Sequence, residues 1–257
     1  MAGPEIRQIK SFLATFARRR AARTVELPGG FAALDDEFPL SYGNNHVVID
    51  GAPDPEALPA LAEEALGHLS HRLITVLDDT AGEACAEPLL RAGYTRSTYL
   101  VMLHRGPVPA GGGAQEVDLD AIRVPLARSW RGSWRGFLPD ADEEVIRQLV
   151  DRRETVRRGA DVVQFIGART PDGEVASWAD LYLDAASGTA QIEDLVTSGL
   201  HLRRGYADAV LASALRRAAD AHCATRFLIA DAQDWPQHWY ERRGFTVIGR
   251  HHGFERT

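Results

Sequence analysis

Ile6, Ile9, Phe12, Leu13 and Phe16 recur at helical spacing, which predicts an amphipathic helix over 4–22. Strand-like material follows it. The run His46-Val47-Val48-Ile49-Asp50 reads as a strand, 53–69 as a helix carrying Leu58, Leu61 and Leu66, and 72–77 as another strand. A helix over 82–92 stops at Gly93-Tyr94, and 97–104 is a strand. Past residue 114 the order is fuller. Residues 118–134 and 142–158 read as helices and 162–169, 175–183 and 189–197 as strands, with Asp172-Gly173 and Ser187-Gly188 marking tight turns. The helix over 206–222 puts Ala207, Leu211, Leu215, Ala218 and His222 on one face. A strand at 227–230, a short helix at 236–243 and a strand at 246–251 close the chain. This alternation predicts a mixed α/β (α+β) architecture.

The stretch Arg105-Gly-Pro-Val-Pro-Ala-Gly-Gly-Gly-Ala114 is too rich in Gly and Pro for a helix or central strand. It reads as a linker between a domain at 1–104 and one at 115–257. An internal repeat crosses it, since Leu89-Leu-Arg-Ala-Gly-Tyr-Thr95 answers Tyr240-Glu-Arg-Arg-Gly-Phe-Thr246, each a helix stopped by glycine before an aromatic residue.

Composition removes several classes of function. With 36 acidic against 29 basic residues the formal charge is −7, spread without blocks, which argues against a nucleic-acid partner. No run approaches the ~18 apolar residues of a membrane span, and the N-terminus lacks the apolar segment of a secretory signal, so a cytoplasmic location is expected. Cys85 and Cys223 stand alone and are expected as buried thiols. The nine histidines contain no HExxH, and His68/His71 and His251/His252 show no acidic partners at ligand spacing, so no metal site is read.

The most informative segment is Ile192-Glu-Asp-Leu-Val-Thr-Ser-Gly-Leu-His-Leu-Arg-Arg-Gly-Tyr-Ala-Asp208, a strand, a loop and a helix start. A helix start presents unpaired N–H groups and the positive end of the macrodipole, so with glycine at the turn it can cradle a phosphate. Arg203 and Arg204 add charge there. The chain has neither the GxxxxGK[ST] of a P-loop nor a dinucleotide fingerprint around Gly111 to Gly113.

These residues resemble the GNAT superfamily of N-acetyltransferases, whose pyrophosphate loop reads Arg/Gln-x-x-Gly-x-Gly/Ala. Here the loop is Leu202-Arg203-Arg204-Gly205-Tyr206-Ala207, with Leu202 in place of the leading Arg or Gln. A second family signature, Tyr-Glu-x-x-Gly-Phe, matches Tyr240-Glu241-Arg242-Arg243-Gly244-Phe245, 35 residues after Gly205. The resemblance implies two GNAT-like mixed-sheet units in tandem. The C-terminal one is complete, and the N-terminal one is degenerate, with an acidic Gly51-Ala-Pro-Asp-Pro-Glu56 where the cofactor loop would be.

The resemblance also implies acetyl-CoA as acyl donor and an amine of a small molecule or a protein as acceptor. The backbone of Leu195, Val196 and Thr197 would pair with the pantetheine arm, and the diphosphate would lie on Arg203, Arg204, Gly205, Tyr206 and Ala207. Gln233 would contact the cofactor. Glu193 would serve as general base with Asp194 in reserve, and Tyr240 as proton donor to the leaving sulfur. Trp130 and Trp134, four apart on a helix, would wall the acceptor, although that spacing also suits core packing. A non-catalytic acyl-CoA sensor is the alternative reading, and a homodimer through an edge strand is one expected assembly.

Overall fold

The computed structural model describes residues 3–134 and 143–257, without the side chains of 133 and 134. They form seven α-helices and eleven strands among the described residues. Two compact units result: residues 1–105 with 229–257, and residues 106–228. The Gly/Pro stretch does mark a division. The last 29 residues, however, belong to the first unit, so the units do not coincide with the linear halves.

In the first unit α1 (Pro4–Arg20) leads into the hairpin of β1 (Arg23–Leu27) and β2 (Gly30–Leu34), turned by Pro28 and by Gly29 at φ 82°. Next come β3 (His46–Ile49), α2 (Leu58–Leu66), β4 (Arg72–Val76), α3 (Asp79–Arg91) and β5 (Thr95–His104). β2 pairs antiparallel with β1 and β3, and β3 parallel with β4. The C-terminal β11 (Phe245–Arg256) inserts antiparallel between β4 and β5. The strands that follow the two repeated segments thus pair with each other, and because they run antiparallel the segments themselves lie at opposite ends of the ladder, Phe245 opposite His104 and Glu255 opposite Thr95. Each strand follows a glycine stop with positive φ, 86° at Gly93 and 85° at Gly244. A core of Leu34, Val47, Ile49, Leu58, Leu66, Ile74, Val76, Leu89 and Phe254 fills the space under α2 and α3.

In the second unit β6 (Gln115–Glu116), β7 (Val162–Arg169), β8 (Val175–Asp184) and β9 (Thr189–Thr197) are antiparallel neighbours, and β9 pairs parallel with the start of β10 (Thr225–Asp231). The helix α6 (Tyr206–Asp220) packs on β7, β8 and β9 through Val210, Leu211, Ala214, Leu215 and Ala218. Before the sheet come α4 (Leu119–Trp134) and α5 (Glu143–Asp151). The helix expected to reach residue 158 tightens at Arg152 into a 3-10 turn, Arg152–Arg158. The last helix, α7 (Pro236–Glu241), belongs to the first unit.

Cys85 and Cys223 are free and buried. No described helix is long and apolar enough to cross a membrane.

Candidate functional site

β9 carries the irregularity on which the site is built. Its ladder to β8 runs from Thr189–Asp184 to Glu193–Asp180 and resumes at Val196–Trp178, so Asp194 and Leu195 together oppose Ala179. This is a β-bulge, and Asp194 occupies the left-handed region at φ 50°, which aspartate tolerates better than most residues. On its other edge β9 is registered with β10 only from Thr189 to Gln191. The stretch Leu195–Thr197 is held from the β8 side, with Ser177 Oγ donating to the Val196 carbonyl at 2.8 Å.

The bulge gathers charge that the strand pattern alone does not place. Gln191 and Glu193, two apart, share a face, and Gln191 Nε2 donates to Glu193 Oε2 at 2.5 Å. Asp180 lies opposite Glu193 and is fully buried. Arg153, delivered by the 3-10 turn and also buried, donates to Asp180 and, at 2.8 Å, to Asp194 Oδ2. Tyr182 Oη donates to the other Asp180 oxygen at 2.9 Å.

Burial pushes the part-buried Glu193 up to about 8; the Asp194 and Asp180 charges add to this, and the Gln191 hydrogen bond and Arg153 oppose it. Burial likewise carries Asp180 up to about 6 against the pull of Arg153. Burial disfavours the Arg153 charge too, yet the two aspartates outweigh it and hold the guanidinium above its ordinary range. Around neutral pH the pair Arg153–Asp180 is therefore ionised, and Glu193 is the group poised to titrate.

Twelve residues on, the chain turns into the start of α6. A short 3-10 turn at Gly199–His201 leads into Arg203 at φ 61° and Gly205 at φ 82°, which caps α6. A Cβ built on Gly205 would meet nothing within 4 Å, so the glycine answers the backbone conformation and leaves the approach to the helix N–H groups open. Arg203 and Arg204 are exposed and make no ion pair among the described residues. Leu202 is exposed as well. His201 steadies the loop: its Nε2 lies 3.3 Å from Glu174 Oε2, while Glu174 Oε1 accepts from Arg128 of α4, and its ring meets Tyr206 edge-on.

The remaining residues read from the sequence belong to other elements. Tyr240 and Gln233 belong to the first unit. The Tyr240 ring packs edge-on against Trp239 and Phe245, at 5.1 and 5.8 Å between centroids. Gln233 is exposed in a turn where its N–H donates to Asp231 Oδ1 at 2.7 Å. Trp130 is part-buried on α4 with the Arg152 guanidinium over its ring; the Trp134 side chain and residues 135–142 lie outside the described residues.

The expectation that His251/His252 lack an acidic partner is corrected, because His252 Nε2 donates to Asp79 Oδ1 at 2.8 Å across 173 residues, a pairing no local spacing reveals. Asp79, Glu83 and His252 converge within 4.8 Å, but Arg96 already bonds Glu83 and His252 Nδ1 and supplies the positive charge there. In the first unit β3 stays registered with β4 from Val47 to Ile49, and acidic Asp54 and Glu56 precede α2, with Glu56 paired to Arg91.

Arg153, Asp180, Tyr182 and His201 are absent from the sequence reading. Only Asp180 leaves a trace, as the lone charge between Glu174 and Asp184 in a strand that is otherwise buried. A charge in such a place requires a partner.

A bulged strand with a part-buried glutamate thus leads, within one unit, into a glycine-capped helix start. Residues 125–245 match the model of the acetyltransferase (GNAT) family. A GCN5-related N-acetyltransferase from Kribbella flavida is similar over 99% of this chain and 96% of its own, with a TM-score of 0.62 at 20% identity. A functionally unknown conserved protein from Staphylococcus epidermidis matches over 90% and 92%, with a TM-score of 0.63 at 12% identity. A GCN5-related N-acetyltransferase from Sphaerobacter thermophilus matches over 89% and 76%, with a TM-score of 0.55 at 15% identity. At these identities the likeness is one of fold. No curated protein matches the chain.

Proposed function

We propose that the protein transfers an acetyl group from acetyl-CoA to an amine of a small molecule or a protein. The observation that carries this reading is the placement, twelve residues apart in one unit, of Glu193 beside the β9 bulge and of Gly205 at the open start of α6. The backbone of Leu195, Val196 and Thr197 pairs with the pantetheine arm, and the N–H groups from Arg203 to Ala207 receive the diphosphate. Leu202 removes one side-chain donor, while the backbone donors do not depend on it.

Acetyl transfer to nitrogen needs a neutral amine. For an acceptor with a pKa of ~10.4, deprotonation at pH 7 costs roughly 4.6 kcal/mol. An ordinary glutamate is a poor match for that proton, whereas one raised to about 8 lies much closer to the amine. Glu193 takes a proton from the ammonium and frees the lone pair; the neutral nitrogen then attacks, the C–N bond forms, the C–S bond breaks and the nitrogen gives up its second proton to the medium. Tyr240, assigned on its motif, returns a proton to the departing sulfur. Because Glu193 must be ionised to act, kcat/KM should rise with pH through 7 and level off above about 8.

Calorimetric titration with acetyl-CoA, beside Gly205→Glu and Gly205→Asn, tests the cradle. Asparagine tolerates positive φ and adds modest bulk, so it should weaken binding less than glutamate, which adds a charge against the phosphates. Saturable wild-type binding lost in Gly205→Glu, followed by turnover of amines at pH 8, is the expected result. Absence of wild-type binding overturns the reading, and binding without turnover of any amine leaves an acyl-CoA sensor.

A further inference from the structure

One buried cation of the second unit has no part in the mechanism above. Arg153 lies inside the unit with only 5% of its surface exposed, on a turn fixed by Thr155 Oγ1, which donates to the Arg152 carbonyl at 2.7 Å. Its guanidinium spans two strands, one nitrogen bonding Asp180 in the middle of β8 and the other bonding Asp194 at the bulge of β9. We propose that Arg153 is a positioning residue for the acetyl transfer proposed above: by clamping Asp180 to Asp194 it holds the β9 bulge and neutralises the carboxylates that surround Glu193. The inference rests on Glu193 acting as the base.

The geometry explains why the clamp matters. Asp194 holds a left-handed backbone, and among the described residues its one ion pair is with Arg153. Release of that pair frees the bulged residue next to Glu193. The groups acting on Glu193 are Asp194 beside it, Asp180 across the ladder, the Gln191 amide, Arg153, and Tyr182, whose hydroxyl is engaged with Asp180. Three carboxylates with no guanidinium would disfavour ionisation of the one that must act. A fork that bonds two separate carboxylates is a property of arginine and not of lysine, whose single ammonium cannot hold both in this way.

The test uses substitutions expected to act in opposite directions. Arg153→Met removes the neutralising charge and should raise the Glu193 titration midpoint by about one pH unit or more, whereas Asp194→Asn removes a repelling charge and should lower it. Arg153→Lys, which keeps a cation beside Asp180, should give an intermediate rise and serves where the methionine variant does not fold. The midpoint is read in ligand-free protein from carboxyl carbon resonances of labelled glutamate, with Glu193 assigned by its loss in Glu193→Gln, and in parallel from the pH profile of kcat/KM.

A tenfold lower kcat/KM at pH 7 in Arg153→Met, recovering at higher pH, with acetyl-CoA affinity within about threefold of wild type, is the expected pattern. Midpoints that stay at the wild-type value in folded Arg153→Lys and Asp194→Asn overturn the inference. The resonance readout needs no turnover, so failure of the wild type to acetylate any amine overturns the functional reading separately, and the titration alone then decides the coupling of Arg153 to Glu193.

Discussion

A carboxyl group that takes a proton from an amine gains by losing water, and Glu193 shows the thermodynamic consequence of that arrangement. Its midpoint near 8 in the folded protein stands above an ordinary value of 4.5. Between those two pH values the native state holds a proton that the unfolded state has released, so stability falls as pH rises through the window and levels off beyond it. Glu193→Gln keeps an acceptor for Gln191 and has no charge to bury. It should equal the wild type near pH 4.5 and exceed it at pH 8.5 by on the order of 3 kcal/mol, while acetyl transfer falls by about 10² or more. Urea denaturation at both pH values checks this, and parallel pH profiles for the two proteins would refute it. Glu193 is legible as an acid on a strand that leads into the Arg203-Arg204-Gly205 loop. Its environment is not, because Arg153 reaches Asp180 and Asp194 across 27 and 41 residues.

Among the elements, the Gly/Pro stretch is more than a spacer. A Cβ on Gly112 would fall 2.0 Å from the carbonyl oxygen of Ala209, in the first turn of α6, and the Ala114 N–H donates to Ser213 Oγ one turn further on. The stretch therefore braces the helix whose start forms the cradle. Gly112→Val should push α6 away, lower the melting temperature by several degrees and weaken acetyl-CoA binding about tenfold. Gly199→Ala, where a Cβ meets nothing within 4 Å and φ is not positive, should leave both unchanged in the same thermal-shift and calorimetric measurements.

Most elements could be read from period and turn chemistry: β7, β8 and β9 fall within a residue of expectation, and α6 begins where Gly205 predicts. The β1–β2 hairpin is one that the pattern left undefined, although Pro28-Gly29 marks its turn. The early end of α5 depends on contacts that helical periodicity does not record, since the turn after it is tied to the buried pair of Arg153 with Asp180.

For the whole molecule, the pH dependence of stability combines opposing contributions. Burial lowers His46 to about 3, with the Arg20 and His71 charges adding, and lowers His251 to about 4, with His252 and Lys10 adding. Each is depressed below an ordinary 6.5. The unfolded chain thus binds protons that the native state refuses, and the stability these residues contribute is present above about 6.5 and is lost as pH falls toward their folded values. Glu193 works in the other direction between 4.5 and 8. Stability should accordingly peak between about pH 5 and 6.5 and decline from there to 8. Substituting His46 and His251 together by Asn should shift the maximum toward acid, and Glu193→Gln should shift it toward alkali, as followed by denaturant midpoints across pH. A maximum that stays in place in both variants would show that other groups govern the profile.

The sequence by itself determined most of the helices and strands, the glycine-stopped repeat, the loop from Leu202 to Ala207 and the acid on β9. These rest on side-chain periodicity and on the φ preferences of glycine, and both act over a few residues. Only the tertiary structure decided that β11 belongs between β4 and β5, that β9 bulges at Asp194 and that Arg153 is the cation among the site's carboxylates. Strand insertion and charge pairing are settled by which distant groups come together once the chain is compact, and a buried charge accepts whatever partner the fold brings within reach.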